Sequence, residues 1–84
     1  MDTIALVRDI LRTNLQLGAR ADTLELDTPL MGNFPQLNSL TVIGIMSSIE
    51  EQTGQSIDDS EITAEIFDTV GTLSAFIQHK VGNA

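Results

Sequence analysis

Few side chains in this sequence could do chemistry. With no cysteine, thiolate catalysis, disulfides and cysteine-based zinc sites are excluded. His79 is the sole histidine, and it falls near the end of a helical stretch. A cationic side chain there meets the negative end of the helix dipole, which is a structural role. No Ser-His-Asp set can be drawn, since there is no second histidine and no strand-turn-helix elbow for a nucleophile. No glycine-rich phosphate loop appears. Asp58, Asp59, Glu61 and Glu65 lack the glycine and ligand spacing of a calcium loop and read as helix caps and solvated face. The expectation is a protein that is not an enzyme, with no catalytic residue and no metal.

Ser39 is the exception. It stands in Leu37-Asn38-Ser39-Leu40, where a long loop turns into a helix. For an isolated Asn-Ser-Leu the default reading is a helix cap. A helix start also presents unpaired N–H groups and partial positive charge, which suits a phosphate carried on the serine. Leu40 and Ile43 lie within a turn of Ser39 and fall on the outward side of the helix. Beside a modification site, two exposed apolar residues suggest a docking patch.

The elements that must position this serine are helical. Ile4, Val7, Leu11 and Leu15 follow helical spacing and predict a first helix over Thr3 to Leu15, capped by Thr3 or Asp2 and stopped by Gly18. From Leu17 to Leu37 no clear helical repeat is present. Loops longer than about 12–15 residues are uncommon in compact domains and are often functional. Leu24, Leu26, Leu30, Met31 and Phe34 are expected to pin this one across the helices. The second helix begins at Asn38–Ser39 and runs to about Thr53, with Gly54 as its stop. Val42, Ile45, Met46, Ile49 and Thr53 share one face of it, and Leu40, Ile43, Gly44, Ser47 and Glu51 the other. A short third helix is expected from Ser60 to Phe67. A fourth starts near Thr69 or Thr72 and ends near Val81, with Lys80 in its last turn.

An 84-residue chain holds one small domain, and 42% hydrophobic residues give it a core. Twelve acids face only Arg8, Arg12, Arg20 and Lys80, and ten of those acids lie between Asp22 and Asp68 with no Lys or Arg among them. Such a domain repels nucleic acid and anionic membrane, and its protein partners are expected to carry basic patches. No stretch has the ~18 apolar residues of a membrane helix. Without cysteine or a signal peptide, the expected location is the cytoplasm.

Two stretches carry a family resemblance. Phe34-Pro35-Gln36-Leu37-Asn38-Ser39-Leu40 resembles the Asp-Ser-Leu attachment motif of acyl carrier proteins. The residues from Ile57-Asp58-Asp59-Ser60-Glu61-Ile62-Thr63 to Phe67-Asp68-Thr69-Val70-Gly71-Thr72-Leu73, with Phe76-Ile77 after them, resemble that family's third and fourth helices. The resemblance spans nearly the whole chain in the right order. It implies an all-α four-helix bundle with a long ordered loop between helices one and two and a short third helix, residues 1–84 forming one carrier domain. It implies a 4'-phosphopantetheine arm, moved from coenzyme A onto Ser39 by a phosphopantetheinyl transferase, with Asn38 and Leu40 flanking the attachment point. Acyl groups would ride on the arm as thioesters, as in fatty acid or polyketide biosynthesis. A core lined by Val42, Ile45, Ile49, Ile57 and Ile62 would shelter them. Acyl-transferring and acyl-activating enzymes would dock basic surfaces on Leu40, Ile43, Glu50 and Glu51 of a monomeric carrier. The wording is closest to free-standing carriers of bacterial exopolysaccharide or exosortase systems.

Two departures from the family pattern matter. Asn38 stands where the family has Asp; it keeps an acceptor oxygen but loses the charge. The second helix is also less acidic than usual, and Gly44 should cost it about 1 kcal/mol against alanine. The alternative readings are a peptidyl or aminoacyl carrier, which shares fold and arm, and an unmodified acidic interaction module in which Ser39 only caps.

Overall fold

A computed structural model describes residues 3–82. The expected cap Asp2 lies outside them. Helix α1 spans Thr3–Leu15, α2 Ser39–Thr53 and α3 Val70–Gly82. Two short 3₁₀ turns, Asp59–Glu61 and Ala64–Phe67, take the place of the short third helix. The break between them falls on Ile62 and Thr63, β-branched residues in extended conformation, which keeps the two turns from merging into one helix. A further 3₁₀ segment, Gly18–Thr23, occupies the start of the long loop.

One core joins the three helices. Val7, Ile10, Leu11 and Leu15 come from α1, Ile45, Met46 and Ile49 from α2, and Val70, Leu73 and Ile77 from α3. Each set recurs at three- and four-residue intervals, so each helix buries one stripe. Helix α1 ends at Leu15, as its apolar spacing predicts, but the stop is not made by glycine. Gln16, not Gly18, is the first left-handed residue after it (φ 55°), and Leu17 N–H closes back on Arg12 C=O at 3.2 Å. Leu17 is then buried beneath this turn.

The loop is pinned by its backbone as much as by its side chains. Leu24 and Leu30 are buried and Phe34 packs against the core, as the hydrophobic pattern predicts. Leu26 and Met31 do not follow the prediction: they are 60% and 50% exposed. Their anchoring is through main-chain groups. Gly71 N–H donates to Leu26 C=O at 2.7 Å, and Met31 N–H donates to Phe67 C=O at 2.9 Å. Leu30 N–H to Asp68 C=O and Val70 N–H to Thr28 C=O complete the seam. Arg8 adds a tie from α1, its guanidinium donating twice to Leu24 C=O. With the backbone held, the two side chains are free to point outward.

Candidate functional site

Helix α2 starts with a reciprocal cap. Asn38 is the N-cap; its Oδ1 accepts from Leu40 N–H at 2.9 Å and Thr41 N–H at 3.1 Å. Thr41 returns the bond, its Oγ1 accepting from Asn38 N–H at 2.8 Å. The same hydroxyl can donate to Gln36 C=O at 2.9 Å, which fastens the cap to the loop before it. The cap work is thus done by Asn38 and Thr41, and Ser39 is left as the first helical residue, exposed, with its hydroxyl uncommitted among the described residues. The sequence suggested several unpaired amides at this helix start. Two of them, at Leu40 and Thr41, are already satisfied by Asn38.

The outward face carries Leu40 and Ile43, 78% and 63% exposed, together with Ser47 and Glu51. Two expected members of that face have other roles. Gly44 turns toward α1: a Cβ there would sit 2.5 Å from Asn14 Oδ1, and Asn14 Nδ2 donates to Ser48 Oγ across the helix pair at 3.1 Å. Its small size permits the close approach of α1 and α2, a reason for glycine that helix propensity cannot show. Glu50, expected as a docking charge, is half-buried, and its carboxylate accepts from Ile57 N–H at 2.7 Å. Tying down the chain after Gly54 takes it out of the free surface charge.

Val42, Ile45, Ile49, Ile57 and Ile62 all belong to one core cluster. Ile45 and Ile49 are fully buried within it, and the other three are half-buried and pack against the cluster. A surface depression lined by Ala5, Leu6, Arg8, Asp9, Arg12 and Asp22 includes none of these five; Arg12 bridges Asp9 and Asp22 there.

The segment Gly54–Ile66 contains no fully buried residue. It is held by carboxylates at two points. One is the Glu50–Ile57 bond. The other is Glu61, which accepts from Asp58 N–H at 2.9 Å and pairs with Lys80 Nζ of α3 at 3.0 Å. The Asp58 amide first, and Lys80 second, hold the Glu61 carboxyl below its ordinary value of 4.5. A lowered folded-state value means that this contribution is present above 4.5 and is lost as pH falls through the lowered value. Glu61→Gln should therefore melt below wild type near neutral pH, and the two melting curves should converge in acid. A difference that stayed constant across that range would remove Glu61 ionisation from the explanation.

No helix among the described residues is long and apolar enough to cross a membrane. No group of three or more His, Cys, Asp or Glu among the described residues could hold a metal ion.

The family model described as the phosphopantetheine attachment site matches residues 5–77. The solution NMR structure of a holo acyl carrier protein from Nitrosomonas europaea is 40% identical, with a TM-score of 0.88, over 98% of this chain and 99% of that one. No curated protein matches. The chain belongs to the acyl carrier protein family. It is a non-catalytic carrier with a covalent 4'-phosphopantetheine arm, and it interacts with a phosphopantetheinyl transferase and acyl-handling enzymes.

Proposed function

We propose that Ser39 carries the arm, within a single carrier domain that works as a cytoplasmic monomer. The observation that supports this is the division of labour at the start of α2: Asn38 and Thr41 make the cap, and the Ser39 hydroxyl is exposed and uncommitted. In loading, Ser39 Oγ attacks the phosphorus that bears pantetheine in coenzyme A. An Oγ–P bond forms, the pyrophosphate P–O bond breaks, and adenosine 3',5'-bisphosphate leaves. The serine proton passes to a base of the transferase. Intact mass after incubation with coenzyme A and a broad-specificity transferase should rise by one phosphopantetheine group, and peptide mapping should place it on Ser39. A modified peptide elsewhere would refute the assignment.

The acyl chain would lie against Val42, Ile45 and Ile49 under Ile57 and Ile62. This reading is supported by the sparse burial of Gly54–Ile66, which can shift at little cost in lost packing. Partners would dock on Leu40, Ile43 and Glu51, with Glu50 contributing indirectly by fixing Ile57. Ile43→Ala should slow partner turnover while leaving the melting temperature nearly unchanged, because Ile43 is mostly exposed and contributes little to the core. Turnover by an acyl-transferring partner, measured beside a thermal melt, checks both halves; unchanged turnover would remove Ile43 from the interface.

A further inference from the structure

One polar residue is buried among the described residues. Ser74 of α3 is 7% exposed, and every other buried residue is hydrophobic. It stands on the buried stripe of α3, one turn after Val70 and one turn before Ile77, with Leu73 beside it. Those three belong to the same core as Ile45 and Ile49, against which Val42, Ile57 and Ile62 pack. A serine inside a helix can spend its hydroxyl on the carbonyl four residues back, here Val70 C=O. Ser74 does not: its Oγ has no hydrogen-bond partner among the described residues. A hydroxyl left unpaired in an apolar core destabilises a fold, and native structures keep few such groups. Alanine would occupy nearly the same space and suit the helix better. The hydroxyl therefore burdens the empty domain, and a cargo that pairs with it would offset that burden.

We propose that Ser74 is a specificity-determining residue for the cargo: its hydroxyl favours acyl chains that carry an oxo oxygen along their length over plain alkyl chains. The inference rests on the reading that the chain lies in the core against Val42, Ile45 and Ile49. A plain alkyl chain beside Ser74 leaves the hydroxyl unpaired, as it is in the empty domain. An oxo oxygen accepts from it, and each polar group satisfies the other away from water. In a core without Ser74 the same oxo oxygen would be buried with no donor, which is costly. Match in one case and mismatch in the other is the arrangement by which a site built to hydrogen-bond its ligand discriminates against an analogue.

The test compares wild type with Ser74→Ala. Each is loaded by a broad-specificity phosphopantetheinyl transferase with the bare arm, octanoyl, 3-oxooctanoyl or 7-oxooctanoyl, and its thermal melt is recorded. The two oxo probes place the oxygen near the arm and near the far end of the chain. In wild type, one of the oxo chains should raise the melting temperature above that of the octanoyl form by roughly 4–8 °C, the shift expected of one hydrogen bond in a domain of this size. In Ser74→Ala that advantage should vanish or reverse. With the bare arm, Ser74→Ala should melt at or above wild type, because it loses no bond. The four-way comparison is a cycle between hydroxyl and oxygen, so a merely structural effect of the substitution cancels. The proposal is overturned if neither oxo chain has an advantage in wild type, if the advantage survives in Ser74→Ala, or if bare-arm Ser74→Ala melts below wild type. If no chain shifts either protein from its bare-arm value, the cargo does not enter the core; the reading beneath the proposal then fails, and the proposal with it.

Discussion

Replacing Ser39 by alanine is expected to abolish arm transfer and leave the fold intact. The first half follows from chemistry: alanine has no hydroxyl, and no other serine has the same setting. Ser48 is half-buried and bonded to Asn14, Ser74 is buried in α3, Ser47 sits within α2, Ser56 lies in the irregular segment after α2 with no helix start beside it, and Ser60 lies in a 3₁₀ turn. The second half follows from the cap. A serine cap replaced by alanine costs about 1 kcal/mol, but here the capping oxygen belongs to Asn38. Ser39 is exposed, and an exposed substitution of this kind should stay within about 0.5 kcal/mol of wild type. Intact mass and a thermal melt on the same sample check both. A protein that loses loading and also melts lower would mean that Ser39 takes part in the cap.

The second large effect is expected far from Ser39 in sequence. Gly71→Ala looks harmless by propensity, since alanine favours a helix by about 1 kcal/mol over glycine. The space around Gly71 reverses the sign. A Cβ there would stand 2.7 Å from Leu26 C=O, the same carbonyl that accepts the Gly71 N–H. The obstacle is main chain and cannot swing aside, unlike the Asn14 side chain beside Gly44. Forcing atoms into a filled space typically costs about 1–3 kcal/mol. In a domain of this size each kcal/mol lowers the melting temperature by roughly 4–8 °C. Amide exchange should rise first at Leu30, Met31, Val70 and Gly71, whose N–H groups form the seam. A Gly71→Ala protein as stable as wild type would show that the loop can retreat without loss.

The helices were legible because each buries a single stripe. Val7, Leu11 and Leu15, and likewise Ile45 and Ile49, announce their faces by spacing, and Leu40 and Ile43 are exposed as the helical wheel predicts. The place of Ser39 at the start of a helix was legible through the residues around it. What could not be read depends on contacts between distant segments. Gly44 looked outward because nothing in the sequence indicates how closely α1 approaches. Glu50 looked like free charge because its partner, Ile57 N–H, is a backbone group with no side-chain signature. Leu26 and Met31 looked like anchors because hydrophobicity marks burial, while the loop is held by main-chain bonds that any residue type can make. The pairing of Glu61 with Lys80 needed the 3₁₀ turns and α3 to be brought side by side.

The seam between the loop and the start of α3 bears on the order in which the chain can assemble. Its bonds join residues about forty positions apart: Leu26 with Gly71, Thr28 with Val70, Leu30 with Asp68, Met31 with Phe67. Closing so wide a span costs chain entropy before any contact repays it, so such pairings form late. Helices α1 and α2 can begin to form from local contacts, but the stretch between them lacks its partners until residue 71 is available. During synthesis the fastening of the loop is therefore unfinished while the ribosome still covers that part of the chain. The cap at the start of α2 draws only on residues 36–41, so during synthesis that junction can form well before the loop ahead of it is fastened.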